Sequence, residues 1–514
     1  MDVLAIEELL RLIFQFCDHR DNFRNALVSK KWSHEALSAL WNHLDTLHPL
    51  LALLAPMVKK DIIYEFERPL WSHDWTIFQK YSWRVHRISF PFVGSNLYCH
   101  SVFTEIALTR PQGDLIPNLR NLKCQPYSLC DFIPLLLSQR LAVLAIHGIN
   151  GTSLPKVHSL LSYIPDRCPA LSRLDLRVSH YDFTEIGLDV GLARLSSLTE
   201  LEITPATLTP RVMHALACLP NLEYIRSTQL WAAKGQNQLP RPPVDTSERF
   251  TSLRLLEISP DNAPPFLETY RLNNLRKLVI EPKAQQTREQ YLRLFKLIGM
   301  GCPQLEILHV LKWNRHYELP LKLPLATPES FEPVHHLSRL TDLSLFDLPM
   351  TPSALLHLAE NLPSLKHLAL HRTTTYDGLP SFHITLLSQL AAIRPQLVSL
   401  CLCIKTNLRA CTLRASVERF RCLAKLDVGP SRLKSPPVRV AAYLSGILPE
   451  GCQLTCMGDS YIWVSRQQSA SWRSVIEMLP ALIAKRNDSP DSTASLSSSD
   501  TTQPLVMFAH LCDL

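Results

Sequence analysis

Glycine is scarce, with 14 residues in a chain of 514, and neither a Gly-x-x-x-x-Gly-Lys loop nor a Gly-x-Gly-x-x-Gly turn occurs. Both phosphate-binding devices need glycines for close backbone approach, so nucleotide chemistry of that kind is excluded. Paired cysteines are missing too. The 14 cysteines form no Cys-x-x-Cys, and the nearest pairs, Cys401/Cys403 and Cys452/Cys456, have no second pair at zinc-site spacing. They read as small buried hydrophobes of a reducing compartment. No block of one charge appears either: 53 basic residues face 46 acidic ones, a net charge of +7, which gives neither a nucleic-acid nor a membrane-surface footprint. Long apolar runs are absent, since the longest, Leu50 to Val58, contains Pro56 and is too short to span a bilayer. The opening stretch Met1 to Phe16 carries Asp2, Glu7, Glu8 and Arg11, against a secretory leader. These absences lead to the expectation of a cytoplasmic and/or nuclear protein with no cofactor, no metal, no nucleic acid and no membrane.

What is present is apolar material in two patterns. Hydrophobic residues make up 46% and charged residues 19%, enough to build a sizeable core. Near the start, Leu9, Leu10, Ile13, Phe14 and Cys17 form one stripe of a 3.6-residue helix, and Ala36, Leu37, Leu40, Trp41 and Leu44 form another. Phe23 to Val28 lies between them, after the polar break His19-Arg20-Asp21-Asn22. Three short helices in some forty residues carry more large apolar side chains than so small a core needs, which implies a covering partner.

The residues Ile6-Glu7-Glu8-Leu9-Leu10-Arg11-Leu12-Ile13-Phe14, Ala26-Leu27-Val28-Ser29-Lys30-Lys31-Trp32 and Leu40-Trp41 resemble the F-box motif. Glu7 stands where proline is usual and Ser29 where cysteine is common, and the apolar pattern is kept. The resemblance implies that the module binds a Skp-family adaptor and through it a cullin, with Leu9, Leu10, Ile13, Phe14, Leu27, Val28, Trp32, Leu40 and Trp41 shared between core and docking surface. A plainer role is also open, because repeat arrays need covered ends and these helices could serve as a cap.

The second pattern is Leu-x-x-Leu-x-Leu. A weak instance, Val85-x-x-Ile88-x-Phe90, precedes clear ones beginning at Leu119, Leu141, Leu171, Leu198, Leu222, Leu253, Leu275, Leu305, Leu340, Leu365, Leu397 and Leu423, at intervals of 22 to 35 residues. The period is that of leucine-rich repeats. Thr209-Pro210 and Thr351-Pro352 each follow a repeat's first leucine by eleven residues, as a helix N-cap followed by proline should. Each unit therefore reads as strand, turn and helix. Cys168-Pro-Ala-Leu171 and Cys302-Pro-Gln-Leu305 resemble the cysteine-containing repeats of F-box proteins. The expected fold is α/β: an N-terminal three-helix F-box and a right-handed leucine-rich-repeat solenoid, an irregular horseshoe. Its boundaries are set at 1–46 for the helical module, 47–84 for a helical linker, 85–433 for the repeats, 434–486 for a C-terminal cap and 487–514 for a mostly disordered tail. Trp231 to Glu248 and Lys312 to Val334 read as loops.

Within the strands, leucines point inward and intervening residues outward. Arg173, Asp175, Arg177, Glu200, Glu202, Lys277, Glu281, His309, Asp342, His367 and His371 are thus the candidate target-facing side chains, most of them expected to be solvated. His367 and His371 flank strand residues with no glutamate between them, so a binding surface suits them better than a metal. Gly458-Asp459-Ser460 superficially matches an esterase block, and Ser489-Pro490 a proline-directed phosphorylation site; neither has supporting context. The leading expectation is a non-catalytic substrate-recognition adaptor of a Skp-cullin-F-box ubiquitin ligase. The alternative is a ligase-independent repeat scaffold or inhibitor.

Overall fold

The computed structural model describes residues 6–61, 63–90, 97–124, 132–149, 154–178, 188–227, 250–259, 263–280, 288–310, 325–346, 348–371, 382–408, 418–456 and 466–488. The chain forms two compact units, Met1–Leu255 and Leu256–Leu514.

The first unit opens with three helices, α1 (Glu7–Phe16), α2 (His19–Asn25) and α3 (Lys30–Asn42). Polar side chains set their ends. Asp18 Oδ1 accepts from the Asp21 N–H at 2.7 Å to start α2, and Ser29 Oγ accepts from the Trp32 N–H at 3.2 Å to start α3. Ser29, at the position where the F-box pattern favours cysteine, thus has a helix-starting role that a thiol performs poorly. Glu7 and Glu8 lie in the first turn of α1, where negative charge complements the helix dipole.

Directly after α3 the strands begin: β1 (His43–Leu44), β2 (Met57–Lys60), β3 (Ile63–Phe66), β4 (Arg87–Ser89), β5 (Leu97–Tyr98), β6 (Asn121–Cys124), β7 (Val143–Ile149), β8 (Arg173–Val178), β9 (Glu200–Ile203) and β10 (Tyr224–Arg226). The main sheet of this unit is parallel in the order β1-β4-β6-β7-β8-β9-β10. The repeat leucines share one register row: Ile88, Leu122, Leu144, Leu174, Leu201 and Ile225 pair in sequence and are at most 1% exposed. Burying each contributes roughly 1.5–3 kcal/mol.

The segment 47–84 corrects the expectation of a helical linker. It holds the short helices His48–Leu51 and Asp74–Ser82, but between them β2 and β3 form an antiparallel pair, with Asp61 in the left-handed region at φ 55° beside the closing pair Lys60–Ile63. Aspartate tolerates that conformation.

The second unit continues the pattern with β11 (Leu255–Ile258), β12 (Lys277–Ile280), β13 (Ile307–Val310), β14 (Asp342–Phe346), β15 (His367–His371), β16 (Phe382–His383), β17 (Ser399–Cys401), β18 (Ile404–Lys405), β19 (Lys425–Asp427) and β20 (Gln453–Thr455). Its main sheet runs β11-β12-β13-β14-β15-β17-β19-β20, with β16 and β18 paired separately. Thr209 and Thr351 cap their helices as the Thr-Pro signal requires, accepting from Val212 N–H at 3.3 Å and Ala354 N–H at 3.1 Å.

Two further boundaries change. The array extends one strand past residue 433, because β20 pairs with β19 through Leu454 and Leu426. The cap helix runs from Arg466 to Asp488, with Trp472 buried and its indole N–H donating to Ser431 O at 2.8 Å. Part of the expected loop at Lys312 to Val334 is ordered as a 3-10 stretch, Pro328–His336, started by a capping box between Thr327 and Ser330. The Trp231–Glu248 segment, Gly458-Asp459-Ser460, Ser489-Pro490 and the tail beyond Asp488 lie outside the described residues. Among the described residues, no helix is long and apolar enough to cross a membrane.

Candidate docking surface and target face

The three-helix module divides its apolar residues cleanly. Leu10, Phe14 and Ala36 form its core, with Cys17, Ala26, Trp32 and Ala39 packed against them. Phe14 meets Trp32 edge-on at 5.4 Å. Buried Asn22 ties α2 to the end of α1, donating from Nδ2 to Phe14 O at 2.8 Å and Cys17 O at 3.2 Å. Glu35 on α3 is buried and receives Arg11 Nε at 2.9 Å, with His34 Nδ1 also at 2.9 Å. Burial alone would push the Glu35 carboxyl up; the hydrogen bonds from Arg11 and His34 hold it below the usual range instead.

On the outside, Leu12, Ile13, Phe16, Phe23, Leu27 and Val28 are exposed, Phe16 at 91% and Leu27 at 74%. So large an uncovered apolar area is uncommon on a module this small. Of the nine residues assigned to the module, Leu10, Phe14 and Leu40 are buried, Leu9, Trp32 and Trp41 are half-buried, and Ile13, Leu27 and Val28 are exposed. Leu12, Phe16 and Phe23 join the surface unannounced by the motif. Their helical spacing from Ile13 and Leu27 was the available signal.

The module is anchored to the first repeats on another side. Arg84, buried before β4, donates to His34 O at 2.8 Å and to Ser38 Oγ, and lies over the Trp83 ring at 4.5 Å. Trp41 packs against Tyr81 at 4.9 Å.

On the outward sheet face of the first unit, the candidate residues assemble into a network. Asp175 sits between His147 Nε2 at 2.7 Å and Arg177 Nε at 3.0 Å. Arg177 Nη2 reaches Glu202 Oε1 at 2.6 Å, and Arg173 pairs with Glu200 at 3.3 Å. Asp175 and Glu202 are buried, two exceptions within a set expected to be mostly solvated. Burial would raise the Asp175 carboxyl, but hydrogen bonds from His147 and Arg177 bring it below its ordinary value. His147, buried and opposite Arg177 in the register of β7 and β8, was not among the expected face residues.

The second unit's face is different in kind. His309 Nε2 lies 3.0 Å from Asp342 Oδ1 across β13 and β14. His371 stacks with Phe346 at 6.1 Å and approaches Cys401 Sγ at 3.7 Å; burial lowers its proton affinity. Lys277 and His367 are half-exposed, and Glu281 lies outside the described residues. His367 and His371 share β15 four residues apart, about 13 Å along a strand, too far to hold one ion together. Among the described residues, no group of three or more His, Cys, Asp or Glu side chains converges as a metal site. Burial pushes the Cys168 thiol up to about 11 and the Cys302 thiol up to about 12, so both stay protonated as core residues.

No family model and no curated protein matches the chain. Among solved structures, it is similar to an internalin (InlF) from Listeria monocytogenes, 14% identical, over 67% of this chain and 77% of that one, with a TM-score of 0.30. It is also similar to a chain in the Rad7 and Elc1 complex in yeast, 18% identical, over 73% of this chain and 92% of that one, with a TM-score of 0.32. The functional reading rests on the chain's own residues.

Proposed function

We propose that this protein is a non-catalytic adaptor of a Skp-cullin-F-box ubiquitin ligase, with α1 to α3 docking a Skp-family subunit and the repeat strands presenting a target for ubiquitination by other subunits. The observation that carries this reading is the exposed set Leu12, Ile13, Phe16, Phe23, Leu27 and Val28 on a module whose core is already complete without them. The F-box resemblance supplies the identity of the partner. The network around Asp175 and the histidine-bearing strands β13 and β15 are the surfaces on which a target would be read.

A second reading, a ligase-independent scaffold or inhibitor in which the helices only cap the array, is favoured by the Arg84 and Trp41 contacts that bind α3 to the first repeats. Co-purification separates the two. Tagged full-length protein is expected to recover a Skp-family adaptor and a cullin, and Val28→Asp, at a site 61% exposed in the free chain, to lose both while remaining folded. Equal recovery with the variant, or none with the parent, favours the scaffold.

A further inference from the structure

In the second unit, the 3-10 segment Pro328–His336 takes the place that a helix holds in neighbouring repeats, between β13 and β14. It is fastened to the next repeat at two points. At its start, Ala326 bridges Met350: the Ala326 N–H donates to Pro349 O at 2.8 Å and the Thr351 N–H to Ala326 O at 3.0 Å. At its end, the His335 ring meets His357 of helix Pro352–Asn361, centroids 4.9 Å apart and planes at 64°.

This second fastening is chemically unusual. His335 Nε2 and His357 Nδ1 are both shut off from solvent, and neither has a hydrogen-bond partner among the described residues. A neutral imidazole tolerates that at modest cost. A protonated His335 does not, because its N–H would be buried without an acceptor.

The charged surroundings do not rescue it. On the segment itself stand Glu329, Glu332 and His336, and on the following helix Glu360 besides His357. The preceding helix, Arg288–Gly301, brings Glu289, Arg293 and Lys296, but Arg293 is committed to Glu268 and Lys296 is exposed. Burial is the main influence holding His335 below the ordinary histidine value, His357 and His336 act in the same direction, and Glu332 opposes them.

We propose that the His335–His357 contact is an acid-sensitive clasp: closed while His335 is neutral, it releases the end of the 3-10 segment from helix Pro352–Asn361 when His335 is protonated. The sign follows from the depressed proton affinity. The stabilisation is fully present above the ordinary histidine value of about 6.5 and is lost as the pH falls below it. Because helix Pro352–Asn361 joins β14 to β15, the clasp governs the repeat that carries Asp342, His367 and His371. It stands independently of the ligase reading.

Hydrogen exchange by mass spectrometry on the full chain, at pH 7.5 and 5.5 and corrected for intrinsic exchange rates, tests it. In the parent, residues 328–336 and the facing turns of 352–361 are expected to lose about ten-fold in protection at the lower pH, while helix Pro437–Ile447 keeps its own. In His335→Phe/His357→Phe the loss should shrink below about two-fold. Where that double variant fails to fold, His335→Phe alone, with an aromatic ring still against His357, should remove most of the loss. An undiminished loss in whichever variant folds, or no loss in the parent, overturns the clasp.

Discussion

Asp74 shows how firmly a single side chain is held in this protein. Both its carboxylate oxygens take the Arg68 guanidinium at 2.8 Å, and the Trp71 N–H adds a third bond at 2.7 Å. The Arg68 hydrogen bonds, against the opposing effect of burial, lower the Asp74 pKa to about 2. A depressed carboxylate stabilises the fold above its unfolded value of about 4 and loses that contribution as the pH falls toward the folded one. Asp74→Asn should therefore lower stability by about 2 kcal/mol at neutral pH, and denaturant titrations should show the gap to the parent closing between about pH 4 and pH 2. A gap independent of pH would assign the loss to packing instead. Pairs whose members lie far apart in the chain escape sequence reading. Asp175 and His147 stand 28 positions apart and meet only because β7 and β8 pair in register, so their burial and mutual bond were invisible, whereas Thr209 and Thr351 were legible because a cap is a local device.

Elements obey the same distinction. The leucine rows were readable because each repeat states its own register, and the strand pairings follow it from Ile88 to Ile225 in the first unit and from Leu278 to Leu454 in the second. The last strand was missed because Gly451 occupies the position that Leu423 holds one repeat earlier, leaving Leu454 as the remaining strong mark. The β2–β3 hairpin was missed because its strands are four residues each and carry mixed side chains. Close helical packing leaves a different trace. A Cβ on Gly299, in helix Arg288–Gly301, would fall within 2.8 Å of the backbone carbonyl carbon of Pro333, so the 3-10 segment can lie against that helix only at glycine. Gly299→Ala, which a free helix would welcome, should here destabilise by about 1–3 kcal/mol, read as a lower urea midpoint with unchanged slope. A stabilised variant would show that the two elements are not in contact in solution.

At the scale of the whole molecule, apolar side chains are used in two ways. In the repeats of each unit they are spent on an interior, where Leu144 and Leu174 in the first and Leu308 and Leu400 in the second are fully buried. In the amino-terminal module a small core is closed, and a second set is left facing outward. The repeat architecture was legible from spacing alone. The division of the module between core and surface was not, since the motif places both kinds of residue on the same three helices.

The central claim is that this outward set is a docking surface. Its most direct measurement is the affinity of the purified full-length chain for a purified Skp-family adaptor, compared with Leu27→Asp, a substitution at a site 74% exposed in the free protein. The account predicts a saturable complex for the parent and an affinity weaker by about 30-fold or more for the variant, with thermal unfolding unchanged. Equal affinity for the two proteins, or no binding by the parent, would contradict it.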